Sequence, residues 1–179
     1  MARLLLGEGD FSFAAAVAEA SVVATALDSR ETVAAKYGAA FSAHEAKILA
    51  AGGRLVFGVD ATDGASLLSR FGEARCRTVC FNFPHTGTRS LPANRRLLCG
   101  ALEAAGEFLA KQHSCEYEMT LKTTGRYNAY AGPRGGTRAS VSLLSLERLS
   151  CDLSRVCKVP TLSERSHSID RVEWDREIV

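Results

Sequence analysis

Short apolar runs alternate along this chain with longer segments of helical composition, and that alternation restricts the fold more than any other feature. It is the pattern of repeated βα units wound around a parallel sheet. Arg3–Leu6 reads as a first strand, broken by Gly7-Glu8-Gly9-Asp10 and followed by an alanine-rich helix over Phe11–Ala20. Ser21–Leu27 is a second strand, and a helix containing Tyr37 then runs to about Ala51. Gly52-Gly53 closes it, as glycine does just past a helix C-terminus. Arg54–Val59 is a third strand. Arg77–Phe83 is a fourth, apolar on both faces as buried parallel strands are, and it stops at Pro84. Leu91–Gln112 returns as helix and Cys115–Leu121 is a fifth strand.

The chain then changes character. Residues 125–136 hold glycines, a proline, tyrosines and arginines with too few apolar side chains for a core element, and read as a long loop. Ala139–Leu149 fits a sixth helix or a strand almost equally well, and Leu153–Val159 with Ser168–Val179 reads as a closing antiparallel pair. Neither an internal repeat nor a linker interrupts the 179 residues, so a single domain over 1–179 is expected; at that length it buries roughly two thirds of its unfolded surface.

Glu8 and Asp10 follow the short apolar run at the N-terminus, which no signal-peptide core tolerates, and no stretch is long and apolar enough for a bilayer. An intracellular protein with no membrane partner is expected. Of the cysteines Cys76, Cys80, Cys99, Cys115, Cys151 and Cys157, none forms a C-x-x-C pair, and the histidines are scattered. Reduced cysteines used as small apolar residues, and no metal, are the expectation. The net charge is only +2, but from Lys122 to Lys158 there are 7 basic and 2 acidic residues, a balance of 7 − 2 = +5, which leaves 2 − 5 = −3 for the rest. Such asymmetry suits a surface meeting a polyanion such as RNA, and equally a solvated loop with a few arginines.

A strand entering Gly7-x-Gly9 and then a helix brings backbone N–H groups close to a nucleotide cofactor, where a Cβ would block the approach. The third glycine of the dinucleotide fingerprint is missing: Phe11 and Ser12 stand there, which counts against NAD and a nicotinamide-dependent oxidoreductase. Glu8 and Asp10 instead suit the positively charged amino and sulfonium groups of S-adenosylmethionine. Asp28, at the end of the second strand, can accept hydrogen bonds from ribose hydroxyls or can cap the next helix. Asp60, at the end of the third, can hold an adenine edge or be a turn residue. Asn82-Phe83-Pro84-His85 ends the fourth strand, beside the place where substrate meets cofactor in this architecture. There an amide offers a donor and an acceptor to a base, an aromatic can stack, and His85 is the nearest candidate for general base, with Asp10 the alternative. Phe81 and Phe83 are each also readable as core.

These residues, read as Leu5-Leu6-Gly7-Glu8-Gly9-Asp10-Phe11-Ser12-Phe13, Ala24-Thr25-Ala26-Leu27-Asp28-Ser29, Lys36-Tyr37, Gly58-Val59-Asp60-Ala61-Thr62, Phe81-Asn82-Phe83-Pro84-His85-Thr86-Gly87, Asn94 and Thr120-Leu121-Lys122, resemble in order and spacing the Rossmann-like domain of the large-subunit ribosomal RNA uridine-N3 methyltransferases. The resemblance extends over residues 3–130. It implies the S-adenosylmethionine-dependent methyltransferase fold, a mostly parallel seven-stranded sheet with helices on both faces and an antiparallel last strand, and methyl transfer to N3 of a uridine. Gly7, Glu8, Gly9 and Phe11 would then form the cofactor loop, Asp28 with Ser29 the ribose side, and Asp60 and Ala61 the adenine pocket. Asn82, Pro84 and His85 would face the substrate, with Asn82 also touching cofactor, and Lys122, Arg126, Tyr127 and Arg134 would meet RNA. Ribosomal RNA or a pre-ribosome would be the partner, and the nucleolus or nucleus the compartment. Family members finish with a tyrosine-, proline- and glycine-rich stretch followed by basic residues, whereas Pro160–Ser168 is serine-rich. A non-catalytic RNA-binding or ribosome-assembly factor that keeps the fold is the competing class.

Overall fold

The computed structural model describes residues 1–112, 115–120 and 139–141. Five parallel strands, β1 (Ala2–Leu6), β2 (Val22–Ala26), β3 (Arg54–Phe57), β4 (Cys76–Asn82) and β5 (Glu116–Thr120), are joined by β6 (Ala139–Val141), which runs antiparallel to β5 with Tyr117 opposite Val141. The spatial order is β3-β2-β1-β4-β5-β6, so the chain winds outward one way from β1 and then resumes from its other side at β4. Helices α1 (Ser12–Ala16), α2 (Arg30–Ala50), α3 (Gly64–Phe71) and α4 (Leu91–Leu109) make the crossovers.

Both faces of the sheet are covered, which explains why the strand sequences are apolar at successive positions rather than alternate ones. Leu4 and Leu6 join Val79, Phe81, Tyr117 and Met119 beneath α3 and α4, while Leu5, Val22, Ala24 and Ala26 join Phe11, Val33, Phe41 and Ile48 on the α1 and α2 side. Helix starts are set by side chains: the oxygens of Ser29, Asp63 and Ser90 accept the N–H groups of Thr32, Ser66 and Ala93 at 3.2, 2.9 and 3.3 Å. The cysteines Cys76, Cys80, Cys99 and Cys115 are all buried. Burial raises the thiol of Cys76 and pushes that of Cys115 up to about 12, which keeps both protonated and unreactive.

The elements depart from the sequence reading in three places. Helix α1 stops at Ala16 instead of Ala20, because the chain must turn back to enter β2, and Val22 N–H closes that turn on the Glu19 carbonyl at 3.0 Å. Alanine propensity is a weak preference that this tertiary requirement overrides. Helix α3 adds an element the alternation left unnamed. Helix α2 is broken at Gly38, with φ 52° and ψ −127°. Ala139–Val141 takes the strand alternative by pairing with β5. The loop at 125–136, the expected closing pair at 153–159 and 168–179, and with them any seventh strand, lie outside the described residues. Among the described residues no helix is long and apolar enough to cross a membrane.

Candidate active site

The strand order reverses between β1 and β4, which pair in parallel with Leu6 beside Phe81. In an open α/β sheet this switch point, at the carboxyl ends of the strands, is where ligands bind. The loop after β1 (Gly7 to Phe11) and the turn after β4 (Asn82 to His85) therefore leave the sheet side by side.

Gly7 has φ +65°, and a Cβ there would overlap the Phe81 ring, so both backbone conformation and close packing require glycine. Glu8 donates its N–H to the Thr25 carbonyl at 2.8 Å, which ties the loop to β2, and its carboxylate accepts the Ala14 N–H at 3.1 Å. Burial pushes Glu8 up to about 7; the Ala14 bond opposes this and the charge of Asp10 adds to it. Burial also acts to raise Asp10, but hydrogen bonds from the Ser12 hydroxyl and N–H outweigh it and leave Asp10 below its ordinary value. Its side chain accepts Ser12 N–H at 3.0 Å. Phe11 takes a left-handed φ of 62°, unusual for an aromatic residue. Its ring is fully buried against Phe41 and Phe57, with centroids 5.7 and 5.5 Å away. Burying such a ring contributes about 1.5–3 kcal/mol, enough to offset the backbone strain. Phe11 thus shapes the loop through its backbone while its ring belongs to the core.

On the neighbouring strand ends, Ser29 rather than Asp28 caps α2, which removes capping as the account of Asp28. Asp28 pairs with Lys36 at 2.6 Å, and its carbonyl accepts the Gly58 N–H at 3.4 Å, joining the loops after β2 and β3. Ser29 Oγ is committed to Thr32. Asp60 Oδ1 accepts the Thr62 N–H and hydroxyl at 2.8 and 2.7 Å, so one carboxylate oxygen is occupied by its own turn. Ala61 is buried in the α3/α4 core.

At the carboxyl end of β4 the two phenylalanines separate. Phe81 is 5% exposed and Phe83 is 60% exposed, with φ 51°. The turn around Phe83 is fixed from β5: Phe83 N–H donates to the Thr120 carbonyl at 2.8 Å, and Thr120 Oγ1 donates to Asn82 Oδ1 at 2.9 Å. With its oxygen held there, Asn82 has its amide N–H groups to offer a ligand. Pro84 is buried. His85 Nδ1 accepts the Gly87 N–H at 2.8 Å. The neutral tautomer compatible with this bond carries its proton on Nε2. The buried Asn94 at the start of α4 holds the following loop by accepting from Thr86 N–H and Oγ1 at 2.9 and 2.8 Å and donating to the Thr88 carbonyl at 3.1 Å.

Sequence reasoning gave no role to Thr120 or Asn94, which act by orienting Asn82 and the His85 loop, nor to Glu8 as the titrating acid of the pair. A strand-end threonine opposite an asparagine in the β4/β5 register was the available signal for Thr120. Lys122, Arg126, Tyr127 and Arg134 lie outside the described residues. Among those described, no group of three potential metal ligands occurs.

A doubly wound parallel sheet with an acidic glycine loop and an Asn-Phe-Pro-His turn flanking its switch point defines a Rossmann-like α/β domain. The chain belongs to the BMT5-like family, described as rRNA (uridine-N3-)-methyltransferase BTM5-like, whose model matches residues 4–152. A protein of Arabidopsis thaliana, "Uncharacterized protein At4g26485", is 27% identical over 174 residues, covering 79% of this chain and 72% of its own length. No solved structure matches.

Proposed function

We propose that this chain methylates N3 of a uridine in large-subunit ribosomal RNA, using S-adenosylmethionine, and that it acts on ribosomal RNA or a pre-ribosome in the nucleolus. The observation that carries the reading is the side-by-side departure of the Gly7–Phe11 loop and the Asn82–His85 turn from the paired strands β1 and β4, in a chain of this family. The residues fit the cofactor. Gly7 and Gly9 bring the loop backbone close to its neighbours: a Cβ at Gly7 would overlap the Phe81 ring, and one on Gly9 would stand 3.1 Å from the Tyr37 hydroxyl. Glu8 and Asp10 supply negative charge, Asp28 a ribose acceptor, and Asp60 with the Ala61 backbone the adenine side. Bound there, S-adenosylmethionine supplies an electrophilic methyl group on a sulfonium.

Uridine N3 carries a proton and lies on the pairing edge, so the base must be unpaired or turned out of its helix. Loss of that proton spreads negative charge onto O2 and O4, where the Asn82 N–H groups can donate. The exposed ring of Phe83 supplies a face for the base. Asn82 and Phe83 would thereby hold N3 for attack on that methyl group, with a neutral thioether sulfur as the leaving group. His85 Nδ1 already accepts from Gly87, so Asp10 or Glu8 is the alternative proton acceptor; the competing reading is an RNA-binding factor that holds the cofactor without turnover. Calorimetric titration with S-adenosylmethionine, followed by transfer assays on unpaired-uridine RNA, separates the two.

Glu8 gives the cofactor site a pH dependence. Its carboxyl titrates at about 7, and a cation alongside favours the ionised form, so below that pH binding must expel a proton. Affinity for S-adenosylmethionine is expected to be flat above about pH 8 and to fall with pH below 7, approaching tenfold per unit. Glu8→Gln flattens the profile. A parental profile that is level through this range contradicts the assignment.

The basic stretch from Lys122 to Lys158 is proposed to meet RNA phosphates. Arg126→Glu with Arg134→Glu is expected to weaken binding across RNA sequences and to make the slope of log affinity against log salt shallower by about 1.4, at roughly 0.7 per single-strand phosphate contact. Binding insensitive to salt and to both changes removes the electrostatic part of the proposal.

A further inference from the structure

Helix α2 is not one rod. In a straight helix Arg30 and Glu45, 15 positions apart, would stand about 22 Å apart along the axis, beyond the reach of their side chains. Yet Arg30 Nε and Nη2 bond the two Glu45 oxygens at 2.9 and 2.6 Å, and its guanidinium lies 5.9 Å from the Phe41 ring centroid. The chain folds back at Gly38, whose φ of 52° and ψ of −127° suit only glycine. The arm 30–37 is thereby held against the arm 39–50.

The two arms of α2 meet the loop after β2 at one point and the glycine loop at two. Lys36 Nζ donates to Asp28 Oδ2 at 2.6 Å. The Tyr37 hydroxyl stands 3.1 Å from where a Cβ on Gly9 would be, with the side chain 41% exposed. His44 Nδ1, on the second arm, lies 2.8 Å from the Asp10 carbonyl.

We propose that the Gly38 reversal makes Lys36 and Tyr37 part of the cofactor site: Lys36 as the positioning residue that holds the Asp28 carboxylate toward the ribose, and Tyr37 as a cover over Gly9. The inference rests on the S-adenosylmethionine reading of that loop. An exposed carboxylate at a strand end samples several rotamers; an ammonium on Oδ2 selects one and leaves Oδ1 to accept from a ribose hydroxyl. The Tyr37 hydroxyl, which donates and accepts, meets whatever lies on the Gly9 backbone.

The test is calorimetric titration of the full chain and its variants with S-adenosylhomocysteine and with its 2′-deoxyribose analogue. Lys36→Met is expected to weaken S-adenosylhomocysteine about 3- to 10-fold and to shrink the preference for ribose over deoxyribose, with Lys36→Arg restoring it. A purely structural role would leave that preference intact. Gly38→Ala has open space around the added methyl, so its effect comes through the backbone alone; affinity is expected to fall about tenfold with the far-ultraviolet circular dichroism of a folded chain. If the parent binds and Lys36→Met and Tyr37→Phe bind equally well with the parental ribose preference, the inference is overturned and the cofactor reading stands. If the parent itself does not bind S-adenosylhomocysteine, both fall.

Discussion

Asn82→Ala is expected to slow methyl transfer about 100-fold while S-adenosylmethionine binds within about twofold of its parental affinity, the usual loss for one donor aimed at developing negative charge. The amide is preset. Register pairs Asn82 with Thr120 across β4 and β5, and the Thr120 hydroxyl holds Oδ1 at 2.9 Å, so no reorganisation is needed when the base arrives. Thr120→Val is expected to give a smaller loss of the same kind, because the amide keeps its N–H groups but loses the bond that orients it. Asn82→Asp is expected to be worse than alanine, since a carboxylate repels charge on the uracil oxygens. Single-turnover transfer at saturating S-adenosylmethionine, on an RNA with an unpaired target uridine, checks all three. An Asn82→Ala enzyme working at the parental rate removes this residue from the substrate side.

Gly7→Ala is expected to destabilise the fold by about 2–4 kcal/mol and to abolish cofactor binding. Two effects add. At φ +65° any L side chain is strained by about 1–2 kcal/mol. The new methyl would also overlap the Phe81 ring, which is buried in the core beneath α4 and has little room to retreat. Gly58 separates the two contributions: it has the same φ of +65°, and an added methyl would meet nothing within 4 Å, so Gly58→Ala carries the strain alone. Urea denaturation of both variants measures the difference. Equal losses at the two positions would mean that Phe81 yields freely and that the close approach at Gly7 is unimportant.

The sheet is legible from sequence because a parallel strand buried on both faces must be apolar at consecutive positions, as Leu4-Leu5-Leu6 and Val79-Cys80-Phe81 are. The site loops are legible for a related reason: glycine and proline mark where such strands must stop. What depends on partners far along the chain is not. Gly38 sits in an alanine-rich stretch where a glycine reads as tolerated within a helix, and its backbone angles together with the contact between Arg30 and Glu45 reveal the reversal. Phe81 and Phe83 are identical in composition and two apart, a spacing that puts both on one face of a regular strand. The positive φ at Phe83 ends the strand and turns its ring outward. Asp28 and Asp60 look alike as strand-end acids, yet one is paired with a lysine and the other closes its own turn. For His85, its place in the turn after β4 was readable, but its hydrogen bond from Gly87 was not.

The measurement that bears most directly on the account is nucleoside analysis after reaction. The chain is incubated with large-subunit ribosomal RNA and S-adenosylmethionine carrying an isotopically labelled methyl group, and the RNA is digested to nucleosides and resolved by chromatography with mass spectrometry. The account predicts labelled N3-methyluridine, absent when Asn82→Ala replaces the parent over the same short reaction time. Label on a ribose oxygen or on another base, or no transfer by a chain that demonstrably binds S-adenosylmethionine, would contradict it.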